Sequence, residues 1–349
     1  MLKKKSKITL DKFIDYCLYD KKNGYYMSRN PFGERGDFVT APNISRIFSE
    51  MLAIWTISFW EKLGSPKKFN LVELGAGNGE MMKVMIETFK KFPSFLKCCN
   101  IIIYEKSPKL ILKQKTKIKF YNVSWIKNLN SLEKLPNIFL ANEFFDAMPI
   151  KQFSKEGNYW YERLIQISGK NNFNFIKKKI NIKKLEKKFH FILSNKNDFI
   201  EYSPLGVKYL EKIIKIIGKN KGGLLIIDYG YYEKKFKNTL KAIYNKNHSN
   251  VLDNIGKSDI THNINYYLFE KIVKNFSNLN LHYTTQKKFL TNLGIFHRAE
   301  IVGKNKSFTK KADLFFRIKR LTDKNEMGDL FKVMLIKNSF IKSQTGFLN

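Results

Sequence analysis

An acid followed by three glycines at alternate positions is the feature of this sequence best suited to chemistry. Glu73 closes a short apolar run, and Gly75, Gly77 and Gly79 come next. Glycine lets the backbone take positive φ and lets a ligand lie against it with no Cβ in the way. The apolar residues after Gly79 recur at helical spacing, so a helix begins here with its N–H groups open to an anionic group. The pattern predicts a buried strand, a tight turn and a helix beside a ligand.

The spacing of the glycines distinguishes between two kinds of cofactor. In the dinucleotide fingerprint G-x-G-x-x-G the third glycine comes three positions after the second, whereas Gly79 comes one position sooner. The arrangement E-x-G-x-G-x-G resembles motif I of class I S-adenosylmethionine (SAM) methyltransferases. SAM carries no pyrophosphate but has an ammonium and a carboxylate in its methionine part, so an acid at the strand end suits its cationic side. A purely structural glycine turn is the alternative.

A second acid, Glu105, ends the next apolar strand, roughly 26 residues after Gly79. In nucleotide-binding α/β folds, an acid at the end of the second strand accepts the ribose hydroxyls of bound adenosine. We therefore predict that Glu105 binds the ribose, with a helix-capping acid as the alternative. Ser124 and Trp125 follow in a third short strand and its loop, and we assign them to the cofactor site. Trp125 either covers the adenine or fills the core.

Asn142, Glu143 and Asp146 follow the fourth predicted strand. Open parallel sheets bind ligands outside the carboxyl ends of their strands, where the strand order reverses. We place Asn142 at the cofactor and the two acids at the methyl acceptor, because two carboxylates suit the fork of N–H donors of a guanidinium. They would hold an arginine in line with the sulfonium methyl. For Asp146, a cap on the following helix is the alternative.

Three more polar residues are candidates for substrate contact. Asp37 and Thr40 lie in a loop rich in glycine and charge, set beside apolar elements. Tyr229 ends the fifth predicted strand, at the same edge of the sheet. We predict that these three residues face the substrate.

The predicted elements define the fold class and the domain boundaries. Apolar strands alternate with amphipathic helices, which predicts an α/β fold. The resemblance to class I methyltransferases implies that this fold is a Rossmann-like, seven-stranded sheet closed by an antiparallel pair. An apolar helix over Ser45–Leu63 belongs to an N-terminal helical cap, residues 1–66, packed on a core of residues 67–349. Residues of about 234–310 are predicted to be an insertion, and Asn171–Lys188, rich in lysine and asparagine, a mobile loop.

Composition limits the remaining alternatives. The 349 residues carry a formal net charge of +34, mostly from dispersed lysine. With no arginine cluster and no RNA-binding motif, this favours compositional bias and nonspecific binding of polyanions over a dedicated nucleic-acid surface. Three cysteines and five scattered histidines predict neither disulfides nor a metal site. No apolar run is long enough for a membrane span, and the start has no secretory signal, so we expect a cytoplasmic protein.

Several stretches together carry a more specific resemblance. Over most of its length and in family order, the chain is similar to the MidA family of SAM-dependent methyltransferases, in Gly24–Met27, Phe32–Pro42, Glu73–Gly79, Asn142–Pro149, Ile227–Gly230 and Gln286–Leu290. The resemblance implies methylation of an arginine in the NADH dehydrogenase (complex I) subunit that corresponds to the mitochondrial 49-kDa protein, in support of complex assembly. We expect a bacterial cytoplasmic location, or the mitochondrial matrix in a eukaryote, and leave a homodimer open.

The chain departs from the family pattern at several positions. The family has Arg where Asn78 stands, Glu where Asn43 stands, and a small or hydroxyl residue where Glu80 stands. It carries acids at the positions of Asn263 and Asn265. The last two changes bear on the substrate contacts of that segment and not on the cofactor site.

Two other functions stay open from the sequence. The basic charge is compatible with a different methyl acceptor, such as RNA or a small molecule. A non-catalytic assembly chaperone would keep the fold and the cofactor site without transferring a methyl group.

Overall fold

The structure is a computed structural model that describes residues 6–28, 40–132, 134–169, 172–195, 197–342 and 344–347. Its strands, numbered along the chain, are β1 Lys7–Thr9, β2 Phe69–Leu74, β3 Cys99–Tyr104, β4 Val123–Ile126, β5 Asn137–Asn142, β6 Lys151–Glu156, β7 Tyr159–Ser168, β8 Asn172–Ile180, β9 Phe199–Tyr202, β10 Gly222–Tyr231, β11 Lys241–Tyr244, β12 Asn247–Ser249, β13 Asp259–Thr261, β14 Ile264–Asn265, β15 Leu279–Thr285 and β16 Phe331–Asn338. Its α-helices are α1 Leu10–Tyr19, α2 Tyr25–Ser28, α3 Ala41–Ile44, α4 Arg46–Lys62, α5 Glu80–Phe89, α6 Pro93–Cys98, α7 Pro108–Lys117, α8 Ile182–Phe189, α9 Pro204–Asn220, α10 Tyr266–Val273, α11 Gln286–Asn292, α12 Ile295–Gly303, α13 Phe308–Thr322 and α14 Met327–Leu330. Among these described helices, none combines the length and the apolar character needed to cross a membrane.

The chain divides into two compact units, each built from separate stretches of sequence. Unit 1 comprises Met1–Pro31, Phe145–Glu211 and Tyr231–Ile272, and unit 2 comprises Phe32–Phe144, Lys212–Gly230 and Val273–Asn349. This division differs from the predicted boundary at residue 66, since α1 lies in unit 1 and α4 in unit 2. It also differs from the predicted insertion, because unit 1 takes the chain only to Ile272 and β15 is already a strand of unit 2. Each element joins the core that buries its apolar face, whatever its place in the sequence.

Unit 2 contains the sheet that positions the site. Seven strands follow the order β15-β16-β10-β5-β2-β3-β4. β2 pairs in parallel with β3 and β5, and β5 pairs in parallel with β10. β16 is antiparallel to both β10 and β15. The chain leaves β2 toward β3 and β4 and returns on the other side at β5, so the strand order reverses between β2 and β5. The predicted Rossmann-like sheet with an antiparallel closing pair is confirmed, although α11 to α14 separate the two closing strands.

The helix predicted over Ser45–Leu63 is α4, and it packs in the main core of unit 2. The Ser45 Oγ accepts from the N–H of Ile47, which caps the helix start. Trp55 and Phe59 are fully buried and stack with 5.1 Å between their ring centroids. β2 is buried along its whole length. Because helices cover the sheet, its parallel strands are continuous apolar runs, which is why the sequence shows them clearly.

Unit 1 has a separate core and two smaller sheets. In one, the order is β1-β7-β6-β9 with β8 paired to β7, and in the other β11 lies between β12 and β13. Residues of α1, β7 and β13 share this core. The prediction of a mobile loop over Asn171–Lys188 is wrong, because β8 and α8 occupy this segment. β8 pairs with β7 from Asn172 to Ile180, and the three lysines of β8 are exposed.

Candidate functional site

The glycine turn leaves β2 where the strand order reverses. Gly75 and Gly79 have positive φ, +67° and +79°. A Cβ added to Gly75 would lie 3.0 Å from Cδ2 of Phe144. The Gly75 N–H donates to the carbonyl of Tyr104 at 2.9 Å, which ties the turn to the end of β3. Glycine is therefore required here by backbone conformation and by close packing, and the turn presents main chain rather than side chains.

Glu73 is buried at the end of β2 with one carboxylate oxygen unused. Its side chain is 3% exposed, and its Oε2 has no hydrogen-bond partner in the described part of the chain. Burial, and then the nearby Glu105, raises the pKa of Glu73 to about 8. Asn142 ends the neighbouring strand β5, and its Oδ1 is also buried with no hydrogen-bond partner among the described residues. Buried polar atoms without partners cost free energy, and donors of a bound ligand would offset that cost at both atoms.

Glu105 is buried as well, but both oxygens of its carboxylate accept hydrogen bonds from neighbours. Oε1 accepts from the N–H groups of Lys106 at 2.8 Å and Ser107 at 2.9 Å. Oε2 accepts from Nε2 of Gln114 at 3.2 Å. Burial raises the pKa of Glu105, and these donors oppose that rise. The carboxylate thus fixes the loop before α7, whose N-cap is Ser107, and its remaining lone pairs can still accept ribose hydroxyls.

Gln114 is a residue that sequence reasoning missed, and it joins three predicted cofactor residues. It is fully buried on α7. Its Nε2 donates to the carbonyl of Gly77 at 2.9 Å as well as to Glu105, and its Oε1 accepts from Nε1 of Trp125 at 2.9 Å. The available signal was a glutamine four residues after Leu110, on the face of α7 where the helical pattern requires an apolar residue.

Trp125 and Ser124 lie on opposite faces of the edge strand β4. Trp125 is half-buried and packs against the core of unit 2, while its indole N–H reaches Gln114. Part of its ring therefore fills the core, as one of the two alternatives predicted. Ser124 is exposed, and residues adjacent in a strand point to opposite sides, so it is not brought together with Trp125. Its cofactor role stays a prediction.

Glu143 is held in an unusual backbone conformation at the exit of β5. Its φ is +50°, in the left-handed region that residues other than glycine rarely adopt. Its N–H donates to the carbonyl of Ile227 at 2.9 Å. Its Oε1 accepts from the N–H of Ala41 at 3.3 Å and from Nδ2 of Asn142 at 3.1 Å. The half-buried carboxylate is therefore fixed among polar groups at the strand exit rather than in the apolar interior.

Asp146 lies in unit 1, whereas Glu73, Glu105 and Glu143 lie in unit 2. It is buried, and its carbonyl oxygen accepts from the N–H of His262 at 3.2 Å. Burial, and then charges that include those of Asp259 and Asp146, holds the pKa of Tyr26 well above its usual value. No helix begins in the described residues that follow Asp146 up to β6, so the helix-capping alternative is wrong.

The predicted substrate residues have contacts within unit 2. Thr40 is the N-cap residue of α3, and its Oγ1 accepts from Nδ2 of Asn43 at 2.7 Å. Tyr229 packs on Phe331 with 4.0 Å between ring centroids. Asp37 lies outside the described residues. None of these contacts assigns a substrate role, which stays a prediction for all three.

Four residues that depart from the MidA pattern make defined contacts in the structure. Where the family has Arg and Glu, Asn78 donates through Nδ2 to Oδ1 of Asn43 at 2.8 Å, so a neutral pair replaces two opposite charges. Glu80 pairs with Nζ of Lys117 at 2.6 Å and links α5 to α7. Asn265 caps α10, because its Oδ1 accepts from the N–H groups of the second and third helical residues. An aspartate there would make the same cap, so this change preserves the local structure.

Comparison with known proteins identifies the class. A family model described as S-adenosyl-L-methionine-dependent methyltransferase matches residues 51–285. The chain belongs to this family of SAM-dependent methyltransferases, and SAM is its cofactor. The predicted resemblance to the MidA family, the fold class and the cofactor are confirmed.

Individual proteins are similar to this chain over most of its length. The chain is 30% identical to the Xenopus laevis protein arginine methyltransferase NDUFAF7, mitochondrial, over 95% of this chain and 81% of that protein. It is 28% identical to the human protein of the same name, over 95% and 80%. A crystal structure of a Burkholderia thailandensis protein bound to S-adenosyl-homocysteine has a TM-score of 0.82 and 22% identity, and covers 98% of this chain and 90% of that one. This last similarity supports the fold.

The residues where the strand order reverses, between β2 and β5, fit SAM. The unpartnered oxygens of Glu73 and Asn142 suit a cationic ligand with N–H donors, and the positive φ of the glycine turn presents main chain beside them. Glu105 and Trp125 would hold the nucleoside, positioned by Gln114. When bound, SAM supplies an electrophilic methyl group. In the part of the chain that the structure describes, no group of three or more His, Cys, Asp or Glu side chains could hold a metal ion.

Proposed function

We propose that this methyltransferase modifies an arginine of a protein, the NADH dehydrogenase subunit that corresponds to the mitochondrial 49-kDa protein, and so supports assembly of the complex. The main support is the position of Glu143. Its carboxylate accepts hydrogen bonds from Ala41 and Asn142 directly after β5, where the strand order reverses. The name of the relatives, protein arginine methyltransferase, supports the acceptor. The particular subunit rests on the resemblance to the MidA family.

Glu143 suits the two tasks that an arginine acceptor imposes. Arginine has a pKa above about 12, so it arrives as a cation that a carboxylate can hold and orient through N–H donors. The methylated guanidinium carries the same charge as the original one, so methylation releases one proton, and the carboxylate of Glu143 is suited to accept it. Orientation itself is a large term, since well-aligned reactants can gain roughly 7–11 kcal/mol in ideal cases.

The remaining substrate roles are part of the same proposal. Asp37, Thr40 and Tyr229 would contact the protein substrate, and the role of Asp146 at the acceptor stays a prediction from the sequence. We further infer a bacterial cytoplasmic location, or the mitochondrial matrix in a eukaryote, which agrees with the mitochondrial names of the relatives. A homodimer stays a prediction.

The test is methyl transfer to the purified cognate subunit, followed by mass spectrometry of its arginines. Glu143→Gln should lower transfer at least 100-fold, because the amide can neither neutralise the guanidinium nor accept its proton. Calorimetric titration should show SAM binding within about threefold of the unchanged protein. Glu61→Gln, at an exposed glutamate of α4, is the matched control and should keep full transfer.

Each alternative function has its own outcome in this assay. Undiminished arginine methylation by Glu143→Gln would refute the role of Glu143. Methyl label that enters RNA, and not the subunit, would replace the protein acceptor. Tight binding of SAM and subunit with no product would identify a non-catalytic assembly chaperone.

A further inference from the structure

Two helices of unit 2 carry large apolar side chains that face away from its core. We define the outer face as Phe296 and Ile301 of α12 with Phe308, Phe315 and Phe316 of α13. All five are exposed, and Phe308 and Phe316 reach 87% and 69%. Isolated exposed apolar residues are ordinary, but these five lie within 21 residues, and Phe296, Phe315 and Phe316 border one groove.

The periodicity of α13 shows that its exposed phenylalanines lie on a different side of the helix from the residues that pack in the core. Leu314, Ile318 and Leu321 form the inner stripe, which packs in the core of unit 2. Phe308, Ala312 and Phe315 recur at i, i+4 and i+7, the spacing of a single helix face, and Phe316 lies beside that face. α13 therefore has one apolar face that the fold buries and another that it leaves in solvent.

The outer face lies in a strongly basic setting. Residues 296–320 contain eight lysines and arginines against two acids. Two of these arginines have partners in the fold, since Arg298 pairs with Glu50 and Arg317 with Asp313. The lysines of the α12–α13 turn and of the start of α13 are exposed or half-buried. A ligand for this surface must therefore combine negative charge with an apolar interior.

We propose that the outer face binds the surface of an anionic lipid bilayer. Phenylalanine on one face of a basic amphipathic helix is the composition of helices that lie in the headgroup region. Phe308 stands out into solvent, which suits insertion between lipids and would need a matching pocket on a protein partner. Phe296, Phe315 and Phe316 border a groove of about 460 Å³ that is open to an acyl chain. The surrounding lysines would attract anionic headgroups within a Debye length.

The test is co-sedimentation of the full chain with vesicles of phosphatidylcholine alone or with roughly one-third phosphatidylglycerol. Binding is expected only with the anionic lipid and should weaken as salt rises. Phe308→Ser with Phe316→Ser should weaken it about tenfold or more, and so should Lys310→Glu with Lys311→Glu. Both double variants are checked for unchanged thermal unfolding and SAM affinity, which show that unit 2 is folded.

Phe120→Ser is the matched control, because Phe120 is 82% exposed but lies outside the patch. It should bind vesicles like the unchanged chain. The proposal is overturned if the chain ignores anionic vesicles, binds both compositions equally, or keeps its affinity after loss of Phe308 and Phe316. Sedimentation that shows self-association dependent on these two residues, without vesicle binding, would assign the face to a second copy instead. The readout is independent of methyl transfer, so either proposal can fail alone.

Discussion

Two glutamates lie at the ends of neighbouring parallel strands of unit 2, and they differ in the hydrogen bonds that the fold provides. Glu105, at the end of β3, takes three hydrogen bonds from two main-chain N–H groups and from Gln114. Glu73, at the end of β2, is equally buried but keeps Oε2 without a partner among the described residues. Both have raised pKa values because of burial, and only for Glu73 do no donors counter that rise.

Glu105 is thus held by hydrogen bonds of the fold itself, whereas we propose that the hydrogen-bond partners of Glu73 come from a ligand. The donors around Glu105 tie its carboxylate to the loop before α7. The position of this carboxylate is therefore fixed before a ligand binds. Glu73 bears a desolvation cost that the isolated protein does not offset. A cationic ligand would offset it, so stability in the free protein and affinity in the complex should respond differently at the two positions.

The largest expected effect is on stability, at Glu105. Glu105→Ala leaves buried donors without an acceptor, each at a cost of about 1–3 kcal/mol, so the free energy of unfolding should fall by about 3 kcal/mol. Urea denaturation followed by circular dichroism measures it. Glu105→Gln keeps one acceptor oxygen and should lose clearly less. Equal stability of Glu105→Ala and the unchanged protein would end the distinction between the two acids.

Substitution of Glu73 should lower the affinity for SAM without lowering the stability of the free protein. Glu73→Gln removes a charge that is costly to bury, so the free energy of unfolding at pH 8 should stay equal or rise. The dissociation constant for SAM should increase about 10- to 100-fold, since a hydrogen bond to a charged group contributes about 1.5–3 kcal/mol. Calorimetry measures the second value and denaturation the first. A destabilised Glu73→Gln that binds SAM normally would reverse the assignment.

The contrast between these strand ends also shows how far the sequence leads. Glu73, the glycine turn and the ends of β3 and β5 could be predicted because each depends on a local pattern: an apolar run, then a polar residue. The contacts that finish the site are not local. Gln114 reaches Gly77 over 37 positions, and Glu143 reaches Ala41 over 102. No periodicity in either segment encodes its partner.

The same limit explains the wrong or altered boundaries. Lysine-rich Asn171–Lys188 reads as a loop, yet β8 forms because β7 offers a full set of main-chain partners. α1 and α4 both read as N-terminal helices, and only the packing of their apolar faces assigns them to different units. Local pattern thus predicts that an element exists more readily than it predicts which core the element joins.

The raised pKa of Glu73 predicts a pH dependence of binding. Its folded pKa of about 8 lies above the ordinary 4.5, so the folded protein holds an extra proton between these values. The contribution of this group to stability is complete below pH 4.5 and is lost as pH rises toward 8. A cationic ligand favours the ionised form, so SAM affinity should rise up to about tenfold per pH unit below pH 8 and level off above it.

Calorimetry in buffers of different ionisation enthalpy should detect release of up to one proton on SAM binding at pH 7. Glu73→Gln is the control and should release none from this site. A pH-independent affinity between pH 6 and 8 in the unchanged protein would show that Glu73 does not change protonation with the ligand.

The smallest effect is expected at Gln114, which acts on the site through Glu105, Gly77 and Trp125. Gln114→Met keeps the volume but removes the three hydrogen bonds, so the dissociation constant for SAM should rise about three- to tenfold. The tryptophan fluorescence spectrum of Gln114→Met should shift, because the indole N–H of Trp125 loses its acceptor. The same substitution in a protein that carries Trp125→Phe should cause no such shift. Gln114→Glu would keep an acceptor for Trp125 while placing a carboxylate against Glu105, so it should restore the spectrum but not the affinity. If Gln114→Met bound SAM normally despite the spectral shift, Glu105 would be held by its two main-chain donors alone, and the difference between the two acids would arise entirely within their own strand ends.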